Sequence, residues 1–169
     1  MFARVEMASQ RLQPDWIRRW LSDPRHIKTG SLMPEMFALM PDKEKAEAIE
    51  ALTHYLESIS PWESRKSTFP GNTENGRKLY ESIGCVQCHV PRKFEPNNAD
   101  VPLGDLRHKY SQYALVKFLL NPHEARPAGR MPRVPMTEQE AVDIATYLRL
   151  EGQQGGADNL LRDLKAIEL

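Results

Sequence analysis

Apolar positions three and four residues apart mark the helices of this chain. Gly76, Leu79, Tyr80 and Ile83 form one such stripe, and Ala141, Ile144, Ala145 and Leu148 form another. Thr137, with Glu140 three residues on, is a capping box and predicts a well-defined start for the last of these helices. Between the two stripes the pattern predicts a polar loop from Pro91 to Val101, a helix from about Ser111 to Asn121, and a loop from Pro122 to Pro135. Pro122 reads as the stop of the helix before it, because proline has no N–H to continue the ladder. In the first third of the chain Trp16 and Trp20 fit the apolar face of one helix, and Ile49, Leu52, Leu56 and Ile59 stripe a second. Ser60 to Asn72, with Pro61, Pro70 and Gly71, reads as a linker. After Gly152 the pattern breaks, and a short amphipathic helix carrying Leu160, Leu161, Leu164 and Ile167 follows. The fold class is all-α, divided into residues 1–60, a linker at 61–72, a domain at 73–151 and a tail at 152–169.

The pattern also repeats. Asp23-Pro24 precedes Met33-Pro34 as Asn121-Pro122 precedes Met131-Pro132, with both pairs displaced by 98 positions. At that offset Ile17 falls on Leu115, Trp20 on Phe118 and Leu21 on Leu119. Each Met-Pro leads into a helix ending in Tyr-Leu, Tyr55-Leu56 after 22 residues in the first copy and Tyr147-Leu148 after 16 in the second.

Composition narrows the function. Hydrophobic residues make up 40% of the 169 positions and there are 13 prolines, so a bound apolar group would be needed to enlarge the core. The 23 basic and 23 acidic residues balance, which points to neither nucleic acid nor an anionic membrane surface. The best apolar run, Ala114 to Leu120, is interrupted by Lys117 and falls short of a membrane span.

Both cysteines lie in Cys85-Val86-Gln87-Cys88-His89. Two thiols at this spacing can each add to a vinyl group of one haem, and the adjacent imidazole then faces the iron. A structural zinc site would need a second pair of ligands at knuckle spacing, and the sequence has none. A thioredoxin-like pair would follow a strand, and no strand pattern precedes Cys85. His89 is therefore one expected axial ligand. For the other, methionine sulfur is a common choice that raises the reduction potential. Met1 and Met7 are near the chain end, and Met33, Met36 and Met40 belong to the first copy, which leaves Met131 or Met136. Met131 sits between Arg130 and Pro132 in an extended loop, whereas Met136 precedes the cap Thr137 and reads as a hydrophobic staple. The alternatives are Met131 as a core filler, and a second histidine, His108 or His123, on the iron. Arg107, Lys109, Tyr110 and Arg126 flank the expected haem edge, where a guanidinium could match a propionate or serve only as surface charge.

From about Asn72 to Leu150 the chain resembles class I cytochrome c in its single-haem bacterial form. The matching residues are Gly76-x-x-x-Tyr80 ahead of Cys-x-x-Cys-His, Pro102 to Leu106, Arg130-Met131-Pro132, and Leu148 at the end of the last helix. The resemblance implies a helical fold around one covalent haem c, with first and last helices crossing at Gly76 and Tyr80 meeting Tyr147. It also implies that His89 donates its Nδ1 proton to a backbone carbonyl, that of Pro102 being the candidate. A glycine usually precedes that proline in the family, and here Val101 does.

Residues 1–60 look like the C-terminal half of a second such domain, without an attachment motif. The half-domain would pack on the haem domain of this chain, complete a domain on another chain or fragment with Met33 facing its haem, or belong to a longer multi-haem protein. The expected function is electron transfer, not catalysis, in the periplasm or another extracytoplasmic compartment, with redox proteins as partners. The alternative is a haem subunit or domain of a larger oxidoreductase. A haem enzyme or gas sensor would require Met131 to be off the iron. Haem c is attached outside the cytoplasm, yet Met-Phe-Ala-Arg-Val-Glu opens without a signal-peptide apolar core, which fits a removed leader or a chain that is part of a longer one. No nucleophile, paired-carboxylate or phosphate-cradle constellation accompanies the motif. Glu44 and Glu47 to Glu50 read as a solvated helix face, and Glu138 and Glu140 as helix-start charges.

Overall fold

The computed structural model describes residues 8–28, 30–59, 70–89, 103–127 and 129–150. All regular structure among them is helical, and no helix there is long and apolar enough to cross a membrane. Two compact units divide the chain, Met1–Arg65 (unit 1) and Lys66–Leu169 (unit 2).

Unit 1 contains α1 (Ala8–Arg11), α2 (Pro14–Ser22), α3 (Pro24–Ile27) and α4 (Asp42–Ile59). Pro14 and Pro24 each occupy the first turn of their helices, where a missing N–H costs nothing. The Asp23 carboxylate accepts the His26 N–H at 2.9 Å and so caps α3. Ile17 and Leu21 of α2 pack on Ile49 and Leu56 of α4, with Leu12, Met33, Phe37 and Leu52 around them. Arg18 forks onto Glu50 at 2.7 and 2.9 Å, which raises the guanidinium's affinity for its proton and lowers that of the carboxylate. The pair is partly exposed, so it sets register between α2 and α4 more than it stabilises them. Thr53 is fully buried and satisfies its hydroxyl on the Ile49 carbonyl at 2.8 Å.

Unit 2 opens with α5 (Thr73–Ser82), capped by the Asn72 side chain, which accepts the Asn75 N–H at 2.9 Å. A single 3-10 turn, Cys85–Gln87, follows it. Next come α6 (Leu106–Lys109), α7 (Gln112–Leu120) and α8 (Pro122–Ala125). A last helix, α9, covers 138–150. The predicted capping box opens it: Glu140 Oε2 accepts the Thr137 N–H at 2.7 Å, and Thr137 Oγ1 accepts the Glu140 N–H at 3.3 Å. α8 corrects the expectation of a loop from Pro122. Asn121, at φ −146° and ψ 78°, breaks α7, and Pro122 then starts a new turn as its first residue. The loop at 91–101, Pro102, residues 60–69 of the linker and the tail helix lie outside the described residues.

α5 and α9 cross at Gly76. A Cβ there would collide with the Asp143 carbonyl and lie 3.0 Å from the Ile144 nitrogen, so only glycine permits the approach. The Asp143 carboxylate ties the crossing, accepting from the Asn72 N–H at 2.8 Å, Asn75 Nδ2 at 2.6 Å and Gln139 Nε2 at 3.0 Å. Burial works against its charge, yet these hydrogen bonds hold the carboxyl below the usual aspartate range. Tyr80 and Tyr147 meet one turn on, with ring centroids 5.6 Å apart and planes tilted by 56°.

The 98-residue offset is visible in the backbone. α2 and α3 superpose by number on α7 and α8 at both ends, and Asp23 (φ −152°, ψ 85°) matches Asn121 (φ −146°, ψ 78°). Ile17 and Leu115, Leu21 and Leu119, and Pro24 and Pro122 are buried pairs.

Gly76→Ala is expected to overpack the crossing and lower stability by about 1–3 kcal/mol, read from the denaturant midpoint. Because the folded Asp143 carboxyl is depressed, its contribution is present above the unfolded value near about 4 and is lost as pH falls through the folded value. Asp143→Asn should therefore be less stable than the native chain at neutral pH and converge with it in acid.

Candidate functional site

The order Gly84, Cys85, Cys88, His89 is shaped by one tight turn. Gly84 adopts φ 94°, a left-handed conformation open to glycine without strain, and reverses the chain where α5 ends. The Cys85 carbonyl then accepts both the Cys88 N–H at 3.2 Å and the His89 N–H at 2.9 Å. Curling the backbone around one oxygen brings two sulfurs and an imidazole to one side of the loop. Tyr80 Oη donates to the His89 carbonyl at 2.7 Å and anchors the loop's exit to α5. This hydroxyl contact is absent from the sequence reading, which used Tyr80 only as a ring packed on Tyr147. Its spacing of nine residues, from a helix to a loop carbonyl, leaves no periodic signal.

The loop opens onto a cavity of about 580 Å³, within the usual range of about 300–1,000 Å³ for cofactor pockets. Cys85, Cys88, His89 and Met131 all line it. Its walls are mainly apolar, with Leu106, Leu115, Phe118, Leu119, Ile144 and Leu148 among them. These come from α6, α7 and α9, the three helices whose apolar faces turn inward together. Pro122 at the start of α8 and Pro132 and Val134 beside Met131 complete the far wall. Cys85 is half-buried and burial pushes its thiol up, while Cys88 is exposed.

The other expected residues separate clearly. Tyr110, Lys109 and Arg126 line the cavity, and Arg107 does not. Tyr110 is buried, stacks on Phe118 with centroids 6.3 Å apart, and carries the Lys109 ammonium 5.3 Å above its ring. Met136 is not among the lining residues, and neither are His108 and His123. His108 turns instead to Asp105, with Nδ1 2.6 Å from the carboxylate. Pro102, the candidate acceptor for His89, lies outside the described residues.

The chemistry of this donor set fits haem c. Cys85, Cys88, His89 and Met131 line one largely apolar chamber, with Lys109, Arg126 and Arg130 also in its wall. Thiols supply covalent anchors, nitrogen and sulfur supply axial donors, and the cations suit carboxylates.

Residues 73–150 match the family model described as Cytochrome c. No curated protein and no solved structure matches the chain.

In the haem-free chain Cys88 is expected to be alkylated by iodoacetamide before Cys85, because the thiolate is the reactive form and Cys85 is both covered and harder to ionise. Peptide mass spectrometry over a time course reads the order, and equal rates would contradict the burial of Cys85.

Proposed function

Residues 73–150 of this chain are a cytochrome c domain, with covalent haem c and its iron as cofactor, and on that premise we propose that it carries single electrons through iron held between His89 and Met131 in an extracytoplasmic compartment. The observation that carries this reading is the convergence of Cys85, Cys88, His89 and Met131 on one apolar cavity. When bound, the iron supplies a one-electron couple that needs no bond made or broken in a substrate.

Each residue has a part in that reading. The Cys85 and Cys88 thiols would hold the haem covalently, each sulfur adding to one carbon of a vinyl group and its hydrogen to the other, an addition that needs no oxidant. His89 supplies nitrogen from a loop held by Gly84 and the Tyr80 hydroxyl, which limits rotation of the ligand. Met131 would supply sulfur from the segment before α9, followed directly by Pro132. With His89 and Met131 both holding the iron, small molecules would find no open site. The apolar wall excludes water and disfavours the more charged oxidised state, which acts with Met sulfur to raise the potential. Lys109, Tyr110 and Arg126 offer donors to the propionates. Transfer to a protein partner then needs only a small, transient contact.

A second reading, a haem-bearing part of a larger oxidoreductase, is favoured by the apolar side chains that unit 1 exposes, Leu32, Met36 and Leu39 among them.

Met131→Ala is expected to retain the haem, lower its potential and admit CO to the ferrous iron, whereas Met136→Ala should change neither. Redox titration and CO difference spectra of the purified holoprotein read both variants. Unchanged potential and CO affinity in Met131→Ala would assign the sixth ligand elsewhere.

A further inference from the structure

We propose that unit 1 is the sulfur-bearing half of a second haem site, in which Met33 is the iron ligand and a Cys-x-x-Cys-His segment outside these 169 residues supplies the haem c. The inference rests on the assignment of Met131 in unit 2 and extends it to a region that the family match does not cover.

Three observations carry it. The backbone that leads to Met131 is reproduced ahead of Met33: a nine-residue helix, a broken residue, a buried proline and a four-residue helix, all displaced by 98. Met33 is half-buried, packs against the Ile17 and Leu21 cluster, and has its N–H fixed by Ser31 Oγ at 3.2 Å, with Pro34 following as Pro132 follows Met131. Most telling is the difference at the shared Tyr-Leu. Tyr147 is 6% exposed beneath Tyr80 of α5, whereas Tyr55 is 59% exposed. Among the described residues every large apolar side chain more than half exposed (Leu32, Met36, Leu39 and Tyr55) lies in unit 1. Met36 falls, at the same offset, on Val134, which in unit 2 lines the cavity. Leu32 and Met36 thus lie exposed where their counterparts, Arg130 and Val134, line the cavity, and Tyr55 lies exposed where Tyr147 is covered by α5.

Unit 2 also identifies the cover. The equivalent face there takes a helix with glycine at the crossing and tyrosine one turn later, followed directly by Cys-x-x-Cys-His. A second copy of these 169 residues cannot meet the need, because each copy carries both members of the repeated Met-Pro pair, at Met33 and Met131, and one attachment motif. Lending its motif would uncover its own Met131. The occupant is therefore a different haem-bearing segment.

The test uses the holo chain, with haem on Cys85 and Cys88, and as probe a peptide of sequence 70–89 carrying one haem c. Sedimentation velocity is expected to show one peptide bound per chain, and the far-red band of sulfur on ferric iron should grow to about twice its starting intensity, one sulfur ligand per haem. Met33→Leu preserves packing volume, so association should persist while the added band disappears. Tyr55→Lys alters an exposed site and should weaken association about tenfold or more without disturbing the chain's own band. Absence of association, an added band that survives Met33→Leu, or insensitivity to Tyr55→Lys would overturn the proposal. Failure of the Met131 assignment has a separate signature, since the band of the chain alone would then survive Met131→Leu.

Discussion

The approach of α5 to α9 at Gly76 is the constraint on which the rest of unit 2 depends. With no side chain at that point the two helices meet backbone to backbone, and the Asp143 carboxylate bonds the start of α5 to the face of α9. α5 then ends at a fixed place, and the left-handed Gly84 turns the Cys85–His89 loop toward the cavity. Position of the reactive loop is inherited from helix packing, through its own turn bonds and the Tyr80 hydroxyl that joins it to α5. Such inheritance suits an electron carrier, in which ligand geometry must change little between two charge states.

Much of this was legible in the chain. The stripes of α5 and α9, the Thr137 cap and the glycine crossing follow from local rules of spacing and steric size, and these survive into three dimensions. Cys85, Cys88 and His89 were legible because chemistry fixes their spacing. Met131 and Met136 differ in local sequence, the one in an extended stretch between Arg130 and Pro132 and the other just before a cap, and of the two Met131 lines the cavity. What stayed hidden depends on long-range contact. Neither the Tyr80 bond to the His89 carbonyl nor the inclusion of Lys109 and exclusion of Arg107 from the cavity wall has a periodic signature. α8 lacks a sequence signal for a different reason: a proline that ends one helix can also begin the next, and the choice depends on the backbone of Asn121.

The repeated stretch shows how strongly local sequence dictates backbone when its cues agree. Asp23 and Asn121 differ in charge, and Trp16 and Ala114 differ greatly in volume, yet the break before each buried proline has nearly the same dihedral angles. Short polar side chains that tolerate a non-helical conformation, followed by a residue with fixed φ, are sufficient to set the bend. The cores beneath then adjust, with Trp16 and Trp20 stacked at 5.2 Å in unit 1 and Tyr110 stacked on Phe118 in unit 2.

The Tyr80 phenol has a further consequence. Burial first, and then its neighbours Cys85 and Tyr147, make it much more reluctant than an ordinary tyrosine to ionise. Its proton stays in the bond to His89 throughout the range in which living compartments operate. The fastening beneath the imidazole is thus silent to acidity, and any hydrogen ion that accompanies an arriving electron must come to rest somewhere other than this tether.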